Sequence, residues 1–168
     1  MAIITVSNSG GNWNATASWV GGVVPVSGDS INCTLTSGNL TVNINTPSLT
    51  GIDFTNYVNQ LTINAIINLN NGSITLSATM MPIIANSSAI LRHTSSGIFT
   101  SNGIELPCML QLYPAAGTRT FADNWSVEDF TIQSGVGTIC TGNTVYVYGD
   151  FSSSTCSGST NIVLQPRI

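Results

Sequence analysis

Lysine is absent from this chain of 168 residues, arginine is confined to positions 92, 119 and 167, and charged residues of every kind make up 6%. Clustered Lys and Arg are what hold a phosphate backbone, so a formal net charge of −4 with three cations excludes a nucleic-acid footprint. No stretch approaches the roughly 18 consecutive apolar residues of a membrane-crossing helix, so membrane insertion is not expected. Met1 to Asn8 has neither a basic start nor an apolar run of about seven, so no secretory signal peptide is expected in it. Phosphate loops and dinucleotide fingerprints are missing as well. Histidine occurs once, at position 93, so a zinc site would have to borrow cysteines, and no ligand spacing supports one. No metal or cofactor is expected. The four cysteines, Cys33, Cys108, Cys140 and Cys156, form neither a Cys-x-x-Cys pair nor a dense disulfide framework. Two readings stay open: buried thiols, or a Cys140–Cys156 disulfide within a Ser-rich segment.

What is abundant is hydroxyl and amide. Ser, Thr and Asn supply about 60 residues, and 42% of the chain is hydrophobic, enough apolar surface to offset the entropy of folding. The apolar residues recur at period two. Leu40-Thr41-Val42-Asn43-Ile44, Leu61-Thr62-Ile63, Ile74-Thr75-Leu76 and Thr144-Val145-Tyr146-Val147-Tyr148 alternate as half-buried strands do. Ser37-Gly38-Asn39, Asn70-Asn71-Gly72, Ser96-Gly97, Asn102-Gly103, Ser134-Gly135 and Gly142-Asn143 supply turn chemistry between them. Helix is expected only as one short turn around Asn14 to Trp19. Gly38, Gly72, Gly97 and Gly135 each precede a Thr by three residues, at offsets of 34, 25 and 38. Such spacing fits a β-helix with loops of unequal length.

One segment is more specific. Gly11-Asn12-Trp13, Trp19-Val20-Gly21-Gly22, Pro25 and Gly28-Asp29 resemble the G-x-W-x-x-x-x-x-W-x-G-G-x-x-P-x-x-G-D leader that precedes parallel β-helix repeats in phage, giant-virus and bacterial surface proteins. Ser95 to Gly103, Pro107-Cys108, Phe121 to Trp125, Thr131 to Gly135, Gly142 to Val147 and Asp150 to Ser154 are similar, in order, to the rungs of the same group. The resemblance implies an all-β, right-handed parallel β-helix, with residues 1–30 as an N-terminal cap and 31–168 as rungs of one β-rich domain. An antiparallel β-sandwich or jelly roll is the alternative. The resemblance also implies a structural role in a virion or at an extracellular surface, as a capsid-associated, tail or fibre component.

Candidate site residues are few. Trp13 and Trp19 suit a plug over the apolar end of a solenoid, while Trp13, Trp19 or Trp125, if exposed, would stack on a sugar. The carboxylate of Asp29 is placed to accept backbone N–H bonds in a turn, and one carboxylate is too few for calcium. Asp123, Glu128 and Asp129 are the densest carboxylates; a glycosidase pair needs two carboxyls about 5 to 9.5 Å apart, whereas Glu128 and Asp129, as neighbours on a strand, would face opposite ways. Arg92 and His93 read as a surface pair, without a nucleophile elbow. No catalytic residue is assigned and no enzyme is expected. Asn and Thr are suited to stack in ladders from rung to rung, about 4.8 Å apart. The functional expectation is a non-enzymatic structural protein whose partners are itself and neighbouring virion or surface proteins, joined through edges such as Asn161 to Leu164 that carry no Lys. A carbohydrate-binding module with a glycan partner is the alternative, and a β-helix polysaccharide lyase or hydrolase the third.

Overall fold

Strands of three to five residues that alternate Leu, Ile or Val with Thr, Ser or Asn bury one face and solvate the other, and the chain uses them almost exclusively. In this computed structural model, which describes residues 1–113, 116–133, 138–153 and 157–166, helix is limited to two 3-10 turns at Thr16–Ser18 and Val20–Gly22. The strands are β1 (Ile3–Thr5), β2 (Gly11–Asn12), β3 (Ser30–Asn32), β4 (Leu40–Val42), β5 (Leu49–Asp53), β6 (Leu61–Ile63) and β7 (Ile66–Thr75). Then come β8 (Ile84–Ala85), β9 (Ile90–Thr94), β10 (Gly97–Thr100), β11 (Glu105–Leu106), β12 (Met109–Leu112), β13 (Gly117–Phe121) and β14 (Trp125–Val127). The series closes with β15 (Phe130–Ile132), β16 (Thr138–Gly142), β17 (Val145–Val147), β18 (Phe151–Ser153), β19 (Ser157–Gly158) and β20 (Ile162–Leu164).

All pairings between these strands are parallel, and each joins a strand to its counterpart one turn along the chain. The result is a β-solenoid of about six turns with three faces. Face 1 stacks β1, β3, β5, the end of β7, β10, β13, β16 and β19. Face 2 stacks β2, β4, β6 and β8, then, after a break, β11, β14, β17 and β20. Face 3 stacks the start of β7 with β9, β12, β15 and β18. β7 turns the corner between faces 3 and 1 at Asn71, whose φ of 51° lies in the left-handed region that Asn tolerates. The antiparallel sandwich alternative is overturned: the single antiparallel contact among the described residues is the isolated bridge between Val6 and Trp19.

Parallel in-register stacking turns the core into ladders of like side chains. Ile4, Ile31, Ile52, Ile74, Phe99 and Phe121 form one inside face 1. Inside face 3, Leu49, Leu69, His93, Leu112 and Ile132 form another. Face 2 contributes Leu106, Val127 and Val147. Most of these side chains are fully buried, each worth about 1.5–3 kcal/mol relative to exposure.

Two expectations are corrected. Register offsets of 21 and 22 residues recur, as in Ser30 with Gly51 and Gly51 with Ser73, unlike the glycine-to-threonine offsets. Gly72 and Gly97 do occupy one column, but Gly38 precedes a face 2 strand and Gly135 lies outside the described residues. Residues 1–30 are also more than a cap: β1 pairs with β3 and β2 with β4, so the first turn of the solenoid lies within them.

Candidate functional surfaces

The tryptophans lie inside. Trp13 and Trp19 are buried at the N-terminal end, edge to face with centroids 4.8 Å apart, and Trp19 Nε1 donates to the Trp13 carbonyl at 2.8 Å. The chain reaches this position by folding back: Ser7 N–H donates to the Ser18 carbonyl at 2.8 Å beside the Val6–Trp19 bridge. Trp125 packs on Phe99 and Phe121 at centroid distances of 5.7 and 6.4 Å, with no accessible surface. Sugar stacking by Trp13, Trp19 or Trp125 is therefore corrected: a stacking platform needs an open ring face, and these rings hold the core.

The carboxylates are engaged in the turns. Asp29 accepts from the Ala2 and Val26 amides at 2.8 and 3.1 Å, bonds that hold its carboxyl below the usual carboxylate range. Asp53 accepts from the Thr55 amide at 2.9 Å and from its hydroxyl. Asp123 accepts from the Ser101 and Asn102 amides of the preceding turn, and Asp129 accepts from the Asp150 amide of the next turn at 2.7 Å. Glu128 and Asp129 are not neighbours on a strand as expected; they occupy the bend between β14 and β15. β14, about 10 Å of extended chain, stands between Asp123 and that bend.

Arg92 and His93 are not a surface pair, because adjacent residues of β9 point to opposite sides. Arg92 lies on the outside, its Nε donating to Gln111 Oε1 at 2.7 Å and its guanidinium 5.1 Å above the Tyr113 ring. His93 is fully buried between Leu69 and Leu112 of its ladder, 4.8 Å from the Phe99 ring. Its Nε2 lies 2.9 Å from the Gly72 carbonyl, which only accepts, so the proton resides on Nε2; Nδ1 has no partner among the described residues. Burial lowers its pKa to about 4; the Gly72 carbonyl opposes the shift and the Arg119 charge adds to it. Arg119 is the site residue that the sequence reading missed. It is fully buried and donates to the Tyr113 and Gly117 carbonyls at 3.1 and 3.2 Å. Its signal was present: Arg119 is in phase with the buried Phe121 two residues on.

Cys33 and Cys108 are buried thiols, pushed up by desolvation, Cys108 to about 12. Cys140 is buried, and the proposed Cys140–Cys156 disulfide involves a residue outside the described ones. Among the described residues, no three His, Cys, Asp or Glu side chains gather as a metal site would require. No helix of the described residues is long and apolar enough to cross a membrane. Open grooves of about 450 Å³ over Gly51 on face 1 and about 580 Å³ beside Thr55 and Ser77 are lined by Ser, Thr and Asn with some aliphatic groups.

The two ends differ. At the N-terminal end the core is closed, with Val6, Trp13 and Trp19 all buried. At the other end, the face 2 ladder finishes at Leu164, on the core side beneath the buried Val147 yet 63% exposed. Ile162, beneath Val145, is half-buried. No protein-family model matches this chain, nor does any curated protein or solved structure.

Proposed function

We propose that this chain is a non-enzymatic structural protein, a component of a virion or surface assembly, that associates with its own copies through the solenoid end. One observation carries the reading. The apolar core is plugged at the first turn by Trp13 and Trp19, while the last described turn presents Leu164, Ile162 and Val163 on a strand whose far edge has no partner among the described residues. Exposed apolar side chains beside free backbone donors and acceptors are the features that strand addition consumes. The carboxylates support the same reading: Asp29, Asp123 and Asp129 tie successive turns together and Asp53 fastens the bend to Thr55, which is structural work. Light scattering on a size-exclusion column, over a concentration series, tests it. Masses above the 17.5 kDa of one chain are expected, and a monomer at every concentration would overturn the proposal.

A further inference from the structure

Gly51 stands in the middle of β5, and its backbone does not call for glycine. Its φ lies outside the left-handed region, and a Cβ added to it would meet no atom closer than the Ser30 Cβ at 3.4 Å, an ordinary contact. Every other described glycine either has a positive φ or would push a Cβ to within 3.0 Å of another atom, as Gly72 would against the Thr50 carbonyl and Gly97 against that of Gly72. Glycine inside a strand has no side chain to pack and more freedom to lose on folding, and it often marks a place where a ligand lies close to the chain.

The bare position opens the outer surface of face 1. One outward column runs Ile3, Ser30, Gly51 and Ser73, and beside it runs Thr5, Asn32, Asp53 and Thr75. Over Gly51 lies a groove of about 450 Å³, lined by Ser30, Asn32, Asp53, Asn71, Thr75 and, toward the first turn, Ile3. That volume falls within the range of small-molecule sites, about 300–1,000 Å³. Its polar groups are unspent. The hydroxyls of Ser30 and Thr75 and the side-chain amides of Asn32 and Asn71 bond to no other described residue, and Thr55 takes only Oδ1 of the Asp53 carboxylate. On other stretches such groups bond from turn to turn, as Thr120 does with Thr141 at 3.2 Å, Ser152 with Thr131 at 3.1 Å and Asn68 with the Thr46 carbonyl at 2.7 Å.

We propose that this groove binds one uncharged sugar ring of a glycan, seated against the bare strand at Gly51 and held through its hydroxyls by Ser30, Asn32, Asp53, Asn71 and Thr75. The donor set decides the class. Hydroxyls and amides both donate and accept, as the hydroxyls of a sugar do, and the second oxygen of Asp53 accepts from one of them. Anionic ligands meet no Lys, Arg or His among the lining residues, and Asp53 repels a phosphate, a sulfate or a uronate. A calcium ion would find a single carboxylate, too few for its six to eight oxygens. A peptide strand has no edge to join there, because β5 is already paired on both sides, with β3 and β7. No aromatic ring lines the groove, so the sugar is held by hydrogen bonds rather than by stacking.

The test titrates the full chain with methyl glucoside, methyl galactoside, methyl mannoside and methyl N-acetylglucosaminide, with methyl glucuronide as the charged counterpart, and follows backbone amide NMR shifts. At least one neutral glycoside should shift the Asn32, Gly51, Asp53 and Thr75 amides saturably, while those of Leu110 and Thr131 on face 3 stay still. The glucuronide should bind about tenfold more weakly or worse. Gly51→Val fills the groove with a side chain the strand tolerates, so it should keep the native spectrum and unfolding midpoint and weaken binding about tenfold or more. Asp53→Asn keeps an acceptor for Thr55 and removes the charge, so it should bring glucuronide and glucoside to within about threefold of each other, a comparison that does not need Gly51→Val. Silence from all four neutral glycosides, shifts scattered away from face 1, binding that survives Gly51→Val, a Gly51→Val chain that does not fold, or a preference against glucuronide untouched by Asp53→Asn would each overturn the site. None of these outcomes bears on self-association.

Discussion

His93 makes the stability of the solenoid depend on pH. An imidazole in the unfolded chain accepts its proton near 6.5, whereas in the folded chain burial between Leu69 and Leu112 holds the value at about 4. Below pH 6.5 the unfolded state gains a proton that the folded state refuses, so stability falls with falling pH until about 4. The slope is about 1.4 kcal/mol per pH unit, the total about 3 kcal/mol, and the loss between pH 8 and pH 5 about 2 kcal/mol. For a chain of this size that is roughly 4–8 °C in Tm. Asp29 acts in the same sense but at lower pH: its lowered value stabilises the fold above 3.8, and that contribution is lost as the pH falls below it. The assay is urea unfolding at pH 8, 7, 6 and 5 for the native chain and for His93→Leu. The variant continues the aliphatic ladder and forfeits the bond to the Gly72 carbonyl, about 1 kcal/mol, so at pH 8 it should be slightly less stable. Its stability should then stay level to pH 5, where the two curves meet or cross. A native chain equally stable at pH 8 and 5, or a variant with the same slope, would refute the reasoning.

The packing yields sharper losses. Trp125→Ala empties a site enclosed by Phe99 and Phe121 and should cost about 3–5 kcal/mol by chemical unfolding. Gly97→Ala would drive a methyl into the Gly72 carbonyl and toward His93 Nε2, for a loss above about 2 kcal/mol. Gly103→Ala, with φ of +80° and open space around it, should lose only about 1 kcal/mol for its left-handed backbone. Cys33 and Cys108 should resist iodoacetamide in the native chain and react once urea unfolds it, as read by peptide mass mapping; rapid native labelling would contradict their burial.

How far the sequence discloses this molecule depends on whether a signal is local. Period two alone marks β4, β6 and β17, because Leu, Val and Ile alternate there with Thr or Tyr. It also places Leu91 with His93, and Arg119 with Phe121, on a common side; the expectation of a surface Arg92–His93 pair treated the two as a unit where alternation separates them. What period two cannot supply is the acceptors of Arg119, since the Tyr113 carbonyl comes from the preceding corner. Turn chemistry misleads on the repeat for a related reason. Gly38 precedes a face 2 strand and Gly72 lies before the face 1 segment of β7, yet the local sequences look alike because every corner asks for the same backbone freedom. The leader's plug is legible as Trp13 and Trp19, but the strands Ile3–Thr5 and Gly11–Asn12 are too short to announce that the first turn lies within it.

The scarcity of charge follows from the same stacking. In a parallel ladder an outward side chain has a neighbour about 4.8 Å above and another below, so a charge repeated from turn to turn would meet its own kind at a destabilising distance. The registers avoid this throughout the described residues. Asp53 lies between Asn32 and Thr75, Arg92 between Asn68 and Gln111, and Glu105 beside Ser126. Neutral hydroxyls and amides fill other outward positions and bond along the column, as Thr120 does with Thr141 and Ser152 with Thr131. A carboxylate is useful where the chain turns, because there it meets amides without register partners, and Asp29, Asp123 and Asp129 stand at such bends. A composition that looked like an absence of chemistry is thus what a solenoid requires of its surface: side chains able to bond to copies of themselves.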